Sequence, residues 1–192
     1  MMNESTILDR AICFAVEAHK GQKRKDGAAF ILHPLEDAAI VGTMTDDPEI
    51  LAAAVLHDTV EDTAVTPEMI LEQFGPRVYE LVMHETEDKR PALPPEETWR
   101  VRKEETLAVL AQTTDTAVKM LWLGDKLSNM RAFHRQYFAE GESIFSRFNN
   151  KNPQDQAWYY GTVLRLLEEL SAYPAYQEYE RLYHDVFDRY EQ

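Results

Sequence analysis

Cysteine is nearly absent from this sequence: Cys13 is the single example in 192 residues. One thiol cannot close an internal disulfide, so a disulfide-stapled secreted domain is excluded. Glycine is scarce as well, with 7 residues, and neither Gly-x-x-x-x-Gly-Lys-Ser/Thr nor Gly-x-Gly-x-x-Gly occurs. Any phosphate chemistry must therefore use something other than a glycine-rich loop. Long hydrophobic runs are missing too, and nothing approaches the roughly 20 uninterrupted apolar residues that cross a bilayer. The start, Met1 to Thr6, has neither basic residues nor an apolar signal core, so the expectation is a soluble, cytoplasmic protein with no membrane partner. Basic residues are outnumbered, 20 against 34 acidic ones, for a net charge of −14. That excess opposes DNA or long RNA, which bind by neutralising phosphates with lysine and arginine.

What the chain does have is an apolar content of 44%, enough for a sizeable core, and a length that makes one domain over 1–192 the expectation. Its sparse positive charge is gathered at Lys20, Lys23, Arg24 and Lys25. A solvated basic loop is the ordinary reading of such a run, but a small phosphorylated ligand needs no more than a local cluster of this kind.

The periodicity is helical throughout. Apolar residues from Ile7 to Val16 recur at spacings of three and four, with Ser5 as the candidate N-cap and Gly21 as the stop. His33-Pro34, Asp47-Pro48 and Thr66-Pro67 read as helix starts, because proline fits the first turn and aspartate or threonine caps it. The run Ile50 to Leu56 is apolar nearly all round, which predicts a central, buried helix. Gly75-Pro76 interrupts the next segment, and Pro91, Pro94 and Pro95 mark an exposed connection. Further helices are expected over about 96–111, 115–137, 153–171 and 174–190. No period-two pattern is sustained, so the fold class is all-α. The polar stretch 140–152 is irregular enough to be a loop.

The segment His57-Asp58-Thr59-Val60-Glu61-Asp62 ends that buried helix. Carboxylates at the end of a core helix need a cation, a positive partner or water. If the helix continues, Glu61 lies one turn from His57 and Asp58, and Asp62 one turn from Asp58. One helix rarely completes a coordination sphere. His33, at a helix start after the basic loop, and Asp125, in an otherwise apolar helix, are the best partners elsewhere. His33, His57, Asp58 and Asp125 together form a mixed nitrogen and oxygen set suited to Mn²⁺, Fe²⁺ or Zn²⁺. Such an ion lowers the pKa of water towards neutrality, which makes hydrolysis the natural reaction. Taken singly, each residue has a plainer reading: a helix-start histidine, a chance His-Asp pair, an interior aspartate bonded to a neighbour.

Taken jointly, the order His, then His-Asp, then a distant Asp resembles the HD-domain metal-dependent phosphohydrolases, and more specifically the hydrolase domain of RelA/SpoT homologues and the stand-alone small alarmone hydrolases. Three segments carry the likeness: Ala18 to Gly27 leading to Ile31-Leu32-His33-Pro34-Leu35, then Leu56 to Thr63, then Leu123 to Arg131. The family-like core covers about 5–135, with a helical C-terminal extension over 153–190. The resemblance implies an all-helical HD fold holding one Mn²⁺-like ion through His33, His57, Asp58 and Asp125. It implies Glu61 and Asp62 as the residues that position or deprotonate the attacking water. Arg24 and Lys25 match a basic pair that contacts the nucleotide, and Asn129 an asparagine near the ribose. The implied reaction removes the 3′-pyrophosphate of (p)ppGpp, giving GDP or GTP and pyrophosphate. No synthetase or regulatory module fits in the remaining length, so a stand-alone hydrolase is expected.

Two departures stand out. Gly27-Ala28-Ala29-Phe30 replaces the family's Gly-x-Pro-Tyr, and Gly124 replaces the usual alanine before the distal aspartate. They keep two other readings open: a phosphohydrolase acting on another nucleotide or cofactor such as NADPH, and a metal- or nucleotide-binding module that senses without cleaving. The Glu61-Asp62 pair argues against the last, since a binder would not need it.

Overall fold

Local capping chemistry sets the helix starts. In the computed structural model, which describes residues 5–90 and 92–190, α1 (Ile7–Ala18) is opened by Thr6, whose side chain accepts from the Asp9 amide while Asp9 reaches back to the Thr6 backbone. This reciprocal capping box selects Thr6 over the expected Ser5, because only Thr6 has an acid three residues on. The Met1–Glu4 part of the chain start and Pro91 lie outside the described residues. Pro34 sits in the first turn of α2 (Leu32–Val41). Asp47 caps α3 (Pro48–Leu56) by accepting from the Glu49 amide at 2.9 Å. A single turn, α4 (Thr59–Asp62), follows.

Thr66 caps α5 (Pro67–Phe74). Gly75, at φ +87°, then reverses the chain in a left-handed conformation that other residues resist, and Pro76 opens α6 (Pro76–Glu85). The later helices are α7 (Pro95–Gln112), α8 (Thr116–Glu140), α9 (Pro153–Leu166) and α10 (Pro174–Phe187). Short 3-10 turns follow α8, α9 and α10, the first of them over Gly141–Arg147 in the stretch the sequence left irregular. Among the described residues there is no strand; the nearest approach is an isolated bridge between Lys23 and Ala29. Among them, too, no helix is long and apolar enough to cross a membrane.

The helices gather into two compact units. The first takes the described residues up to Thr86 with Asp115–Asp125; the second takes Glu87–Thr114 and the residues from Lys126 onward. In the first, α3 packs against α1, α2 and α6. Ala52, Ala53, Ala54, Val55 and Leu56 are all fully buried, as an all-round apolar helix requires. Three consecutive alanines let neighbouring backbones come close, which brings the C-terminal end of α3 near α2.

In the second unit, α9 packs on α7 and α10. Tyr176, Tyr179 and Tyr183 of α10 donate their hydroxyls to the carbonyls of Leu164, Tyr160 and Ala157 of α9 at 3.2, 2.9 and 3.1 Å. Each phenol thus buries its ring and satisfies its polar end. Phe133 meets Phe145, Phe148, Tyr160 and Phe187 in one aromatic cluster. The aromatics around 145–160 are core packing in this unit.

Candidate metal centre

The end of α3 does not run on into α4 as one continuous helix. The chain turns at His57 and Asp58 and restarts as α4. Side chains take over backbone acceptors at the break: His57 Nδ1 bonds the Ala54 carbonyl at 2.8 Å, and Thr59 Oγ1 donates to the Leu56 carbonyl at 2.6 Å. The Asp62 amide still donates to the Asp58 carbonyl at 2.9 Å, so these two residues keep their one-turn relation.

Around this turn the first unit brings four side chains together. His33 Nε2 lies 3.1 Å from Asp125 Oδ1 and 3.5 Å from Asp58 Oδ2. His57 Nε2 lies 3.1 Å from Asp58 Oδ2 and 3.9 Å from Asp125 Oδ1. The two imidazole rings meet edge to face at 5.2 Å. His33, His57 and Asp125 are buried and Asp58 is only slightly exposed. Ligands at about 2.0–2.2 Å from one ion stand roughly 3–4 Å from each other, so these separations fit a shared divalent centre. His33, His57 and Asp58 alone already form a three-residue group able to hold a metal ion.

Hydrogen bonding sharpens the fit. With its Nδ1 proton given to the Ala54 carbonyl, His57 turns its buried Nε2 towards the carboxylates, 3.1 Å from Asp58 Oδ2. Burial disfavours the imidazolium, yet Asp58 and Asp37 outweigh it and push His57 well above its usual pKa. Burial would likewise raise Asp58, but His57 and His33 hold its carboxyl well below the usual range. Two imidazoles and two carboxylates are the donor set a divalent ion satisfies.

Asp37 is the residue that sequence reasoning missed. It is fully buried on α2, one turn after His33, with Oδ2 3.2 Å from His57 Nδ1. Burial pushes its carboxyl up to about 6 against the pull of His57. The available signal was an acidic residue at i+4 from a candidate ligand, on the face of a helix that packs inward.

The remaining predicted residues are placed as follows. Glu61 and Asp62 are half-buried on α4. Gln22 Nε2 donates to the Asp62 carbonyl at 2.8 Å, and Gln22 Oε1 meets His19 Nδ1 at 2.8 Å, which ties α4 to the basic loop. Arg24 is half-buried and Lys25 exposed in that loop, where the Arg24 amide bonds the Ala28 carbonyl at 2.9 Å. Phe30 stacks on His19 at 4.8 Å and meets the edge of His33 at 6.2 Å, so it braces His33 by packing. Asn129 lies one turn beyond Asp125 along α8, in the second unit.

Comparison with known proteins points the same way. A family model described as an HD domain matches residues 11–154. The guanosine-3′,5′-bis(diphosphate) 3′-pyrophosphohydrolase of Aquifex aeolicus is 40% identical over 124 residues, 65% of this chain and 17% of that protein. The GTP pyrophosphokinase rsh of Brucella melitensis is 38% identical over 130 residues, 68% of this chain and 17% of that protein. The chain thus spans only 17% of the length of these curated relatives. Among solved structures, one described as a metazoan orthologue of SpoT that hydrolyses ppGpp superposes with a TM-score of 0.74, over 96% of this chain and 97% of that one, at 24% identity. Another, lmo0812 from Listeria monocytogenes EGD-e, gives a TM-score of 0.70 over 81% of this chain and 99% of that one, at 31% identity.

Proposed function

The chain belongs to the HD-domain family, related to the RelA/SpoT hydrolase domain, and from that premise we propose that it is a metal-dependent phosphohydrolase that removes the 3′-pyrophosphate of (p)ppGpp. The observation that carries the reading is the convergence of His33, His57, Asp58 and Asp125 from three separate parts of the sequence within 3.1–3.9 Å. These four hold the ion, with Mn²⁺ first among Mn²⁺, Fe²⁺ and Zn²⁺. A divalent ion bound there supplies Lewis acidity and a water of lowered pKa.

The chain's own groups do the rest. Glu61 and Asp62, carried on a turn anchored by Gln22, orient the attacking water and take its proton. Water adds to the phosphorus bound to the ribose 3′-oxygen, the P–O3′ bond breaks, and that oxygen leaves with a proton, giving GDP or GTP and pyrophosphate. Arg24 and Lys25 receive the nucleotide: a guanidinium can stack on a base or grip phosphate in two places, and lysine adds a compact charge. Asn129 is assigned to the ribose on the sequence pattern alone. Residues 1–192 are taken as a single HD-type hydrolase domain.

Phe30 favours keeping a second substrate in view. It offers no hydroxyl where the family's tyrosine would, and its ring is already occupied by His19 and His33. Mn²⁺-loaded protein should be incubated with ppGpp, NADPH and nucleoside triphosphates, and the products analysed. Pyrophosphate release from ppGpp far faster than any other turnover is expected. Selective phosphate release from another substrate would transfer the activity to that compound, and no turnover despite bound metal would leave a sensor.

A further inference from the structure

Asp37 is a buried carboxylate to which neither oxygen brings a hydrogen bond. Such a group is costly unless a positive centre compensates it. Its neighbour is His57, 3.2 Å away through Nδ1. That nitrogen already gives its proton to the Ala54 carbonyl at 2.8 Å, so the backbone fixes the tautomer and Asp37 acts on the ring through its charge.

The room for this carboxylate is made by Gly124. A Cβ built there would fall inside contact distance of Asp37 Oδ1, 2.7 Å from Val41 Cγ2 and 3.2 Å from the Asp37 carbonyl oxygen. Gly124 directly precedes Asp125, whose Oδ1 faces both histidines. Glycine in a helix interior is less favourable than alanine. The cost at this position is explained by the acid it accommodates. Asp37 and Gly124, 87 residues apart by their numbers, are thus one feature.

We propose that Asp37 is a positioning residue for the metal centre: a third carboxylate, admitted by Gly124, that sets its negative charge behind His57 and strengthens the hold of that imidazole on a divalent cation. Carboxylates behind metal-bound histidines raise ligand basicity in this way, and their loss typically weakens metal binding 10- to 100-fold. The inference rests on the reading of His33, His57, Asp58 and Asp125 as ligands.

The test uses the full chain and the Asp37→Asn variant, which keeps the volume and removes the charge. Zn²⁺ and Mn²⁺ affinities are measured by competition with a chelating dye. Apo-protein melting is followed alongside, and the ¹⁵N shifts of the His57 ring are recorded in the Zn²⁺ form. The expectation is metal affinity weakened by roughly 10- to 100-fold, an apo melting temperature no lower than that of the parent, and a displaced Nδ1 resonance. The double variant Asp37→Ala with Gly124→Ala replaces acid and gap by neutral packing, and should bind as weakly as Asp37→Asn. Affinity of Asp37→Asn within threefold of the parent would overturn the proposal while leaving the metal centre intact. So would restored affinity in the double variant, because packing and not charge would then be the cause. Failure of the parent to bind either ion would overturn the metal centre itself, and this role with it.

Discussion

Glu87→Gln is the sharpest probe of the second unit. Glu87 and Arg102 form an ion pair with both side chains only 7% exposed, and Lys103 joins at 2.7 Å. The substitution keeps size and removes charge, leaving Arg102 to its weaker contacts with Thr98 Oγ1 at 3.2 Å and the Pro95 carbonyl at 3.5 Å. Breaking a buried pair from one side costs about 3–5 kcal/mol. Lys103 is 22% exposed and can turn towards water, so the stranded group is Arg102 and the expected loss is at the lower end, about 3 kcal/mol. For a chain of this size that is about 6–12 °C in melting temperature.

The pH dependence has a definite sign. Burial raises the Glu87 carboxyl, but Lys103, Arg102 and Lys126 together outweigh it and hold the group below its ordinary 4.5. A depressed acid stabilises the fold above its unfolded pKa, and the contribution is lost as pH falls through the folded value. The gap between parent and variant should therefore be full near neutrality and close below about pH 4.5. Urea unfolding followed by tryptophan fluorescence suits the measurement, since Trp99 and Trp158 lie in this unit. A loss under about 1 kcal/mol at neutral pH, or one that stays constant through the acid range, would refute the reasoning.

Three further outcomes are expected. Divalent metal at 100 times its dissociation constant should stabilise the parent by about 2.7 kcal/mol, or about 5–11 °C; Asp58→Ala should lose both that shift and activity, and an undiminished shift would remove Asp58 from the site. Gln22→Ala removes the tie to the Asp62 carbonyl, so kcat should fall roughly 10- to 100-fold with metal affinity unchanged; a change confined to KM would contradict the anchoring role. In Gly161→Ala, the new methyl meets the Tyr183 hydroxyl and, at 2.9 Å, its Cζ, displacing a phenol that donates to the Ala157 carbonyl. The gain of about 1 kcal/mol in helix propensity is outweighed by overpacking of about 1–3 kcal/mol, and a melting temperature at or above that of the parent would show that α10 yields freely.

Helix starts were legible because capping is local. Asp47-Pro48 and Thr66-Pro67 carry their donors, acceptors and fixed φ within a few residues, and the structure begins helices there. Thr6 in place of Ser5 shows the limit: two adjacent hydroxyls look alike until Asp9 selects one. The break at His57-Asp58 was not legible, because the apolar pattern ends there without a glycine or proline. It depends on His57 and Thr59 turning back onto the carbonyls of Ala54 and Leu56.

By itself the sequence determined the all-helical class and the buried character of α3, and it offered two histidines and two aspartates as candidate donors. Each of these follows from periodicity, local caps or the chemistry of residue types. Only the tertiary structure decided that His33, His57, Asp58 and Asp125 meet within 4 Å, because their distance in space is set by how α2, α3 and α8 pack. It alone decided what Gly124 and Asp37 mean to each other. A missing Cβ is silent in a sequence until the atom that fills its place is known.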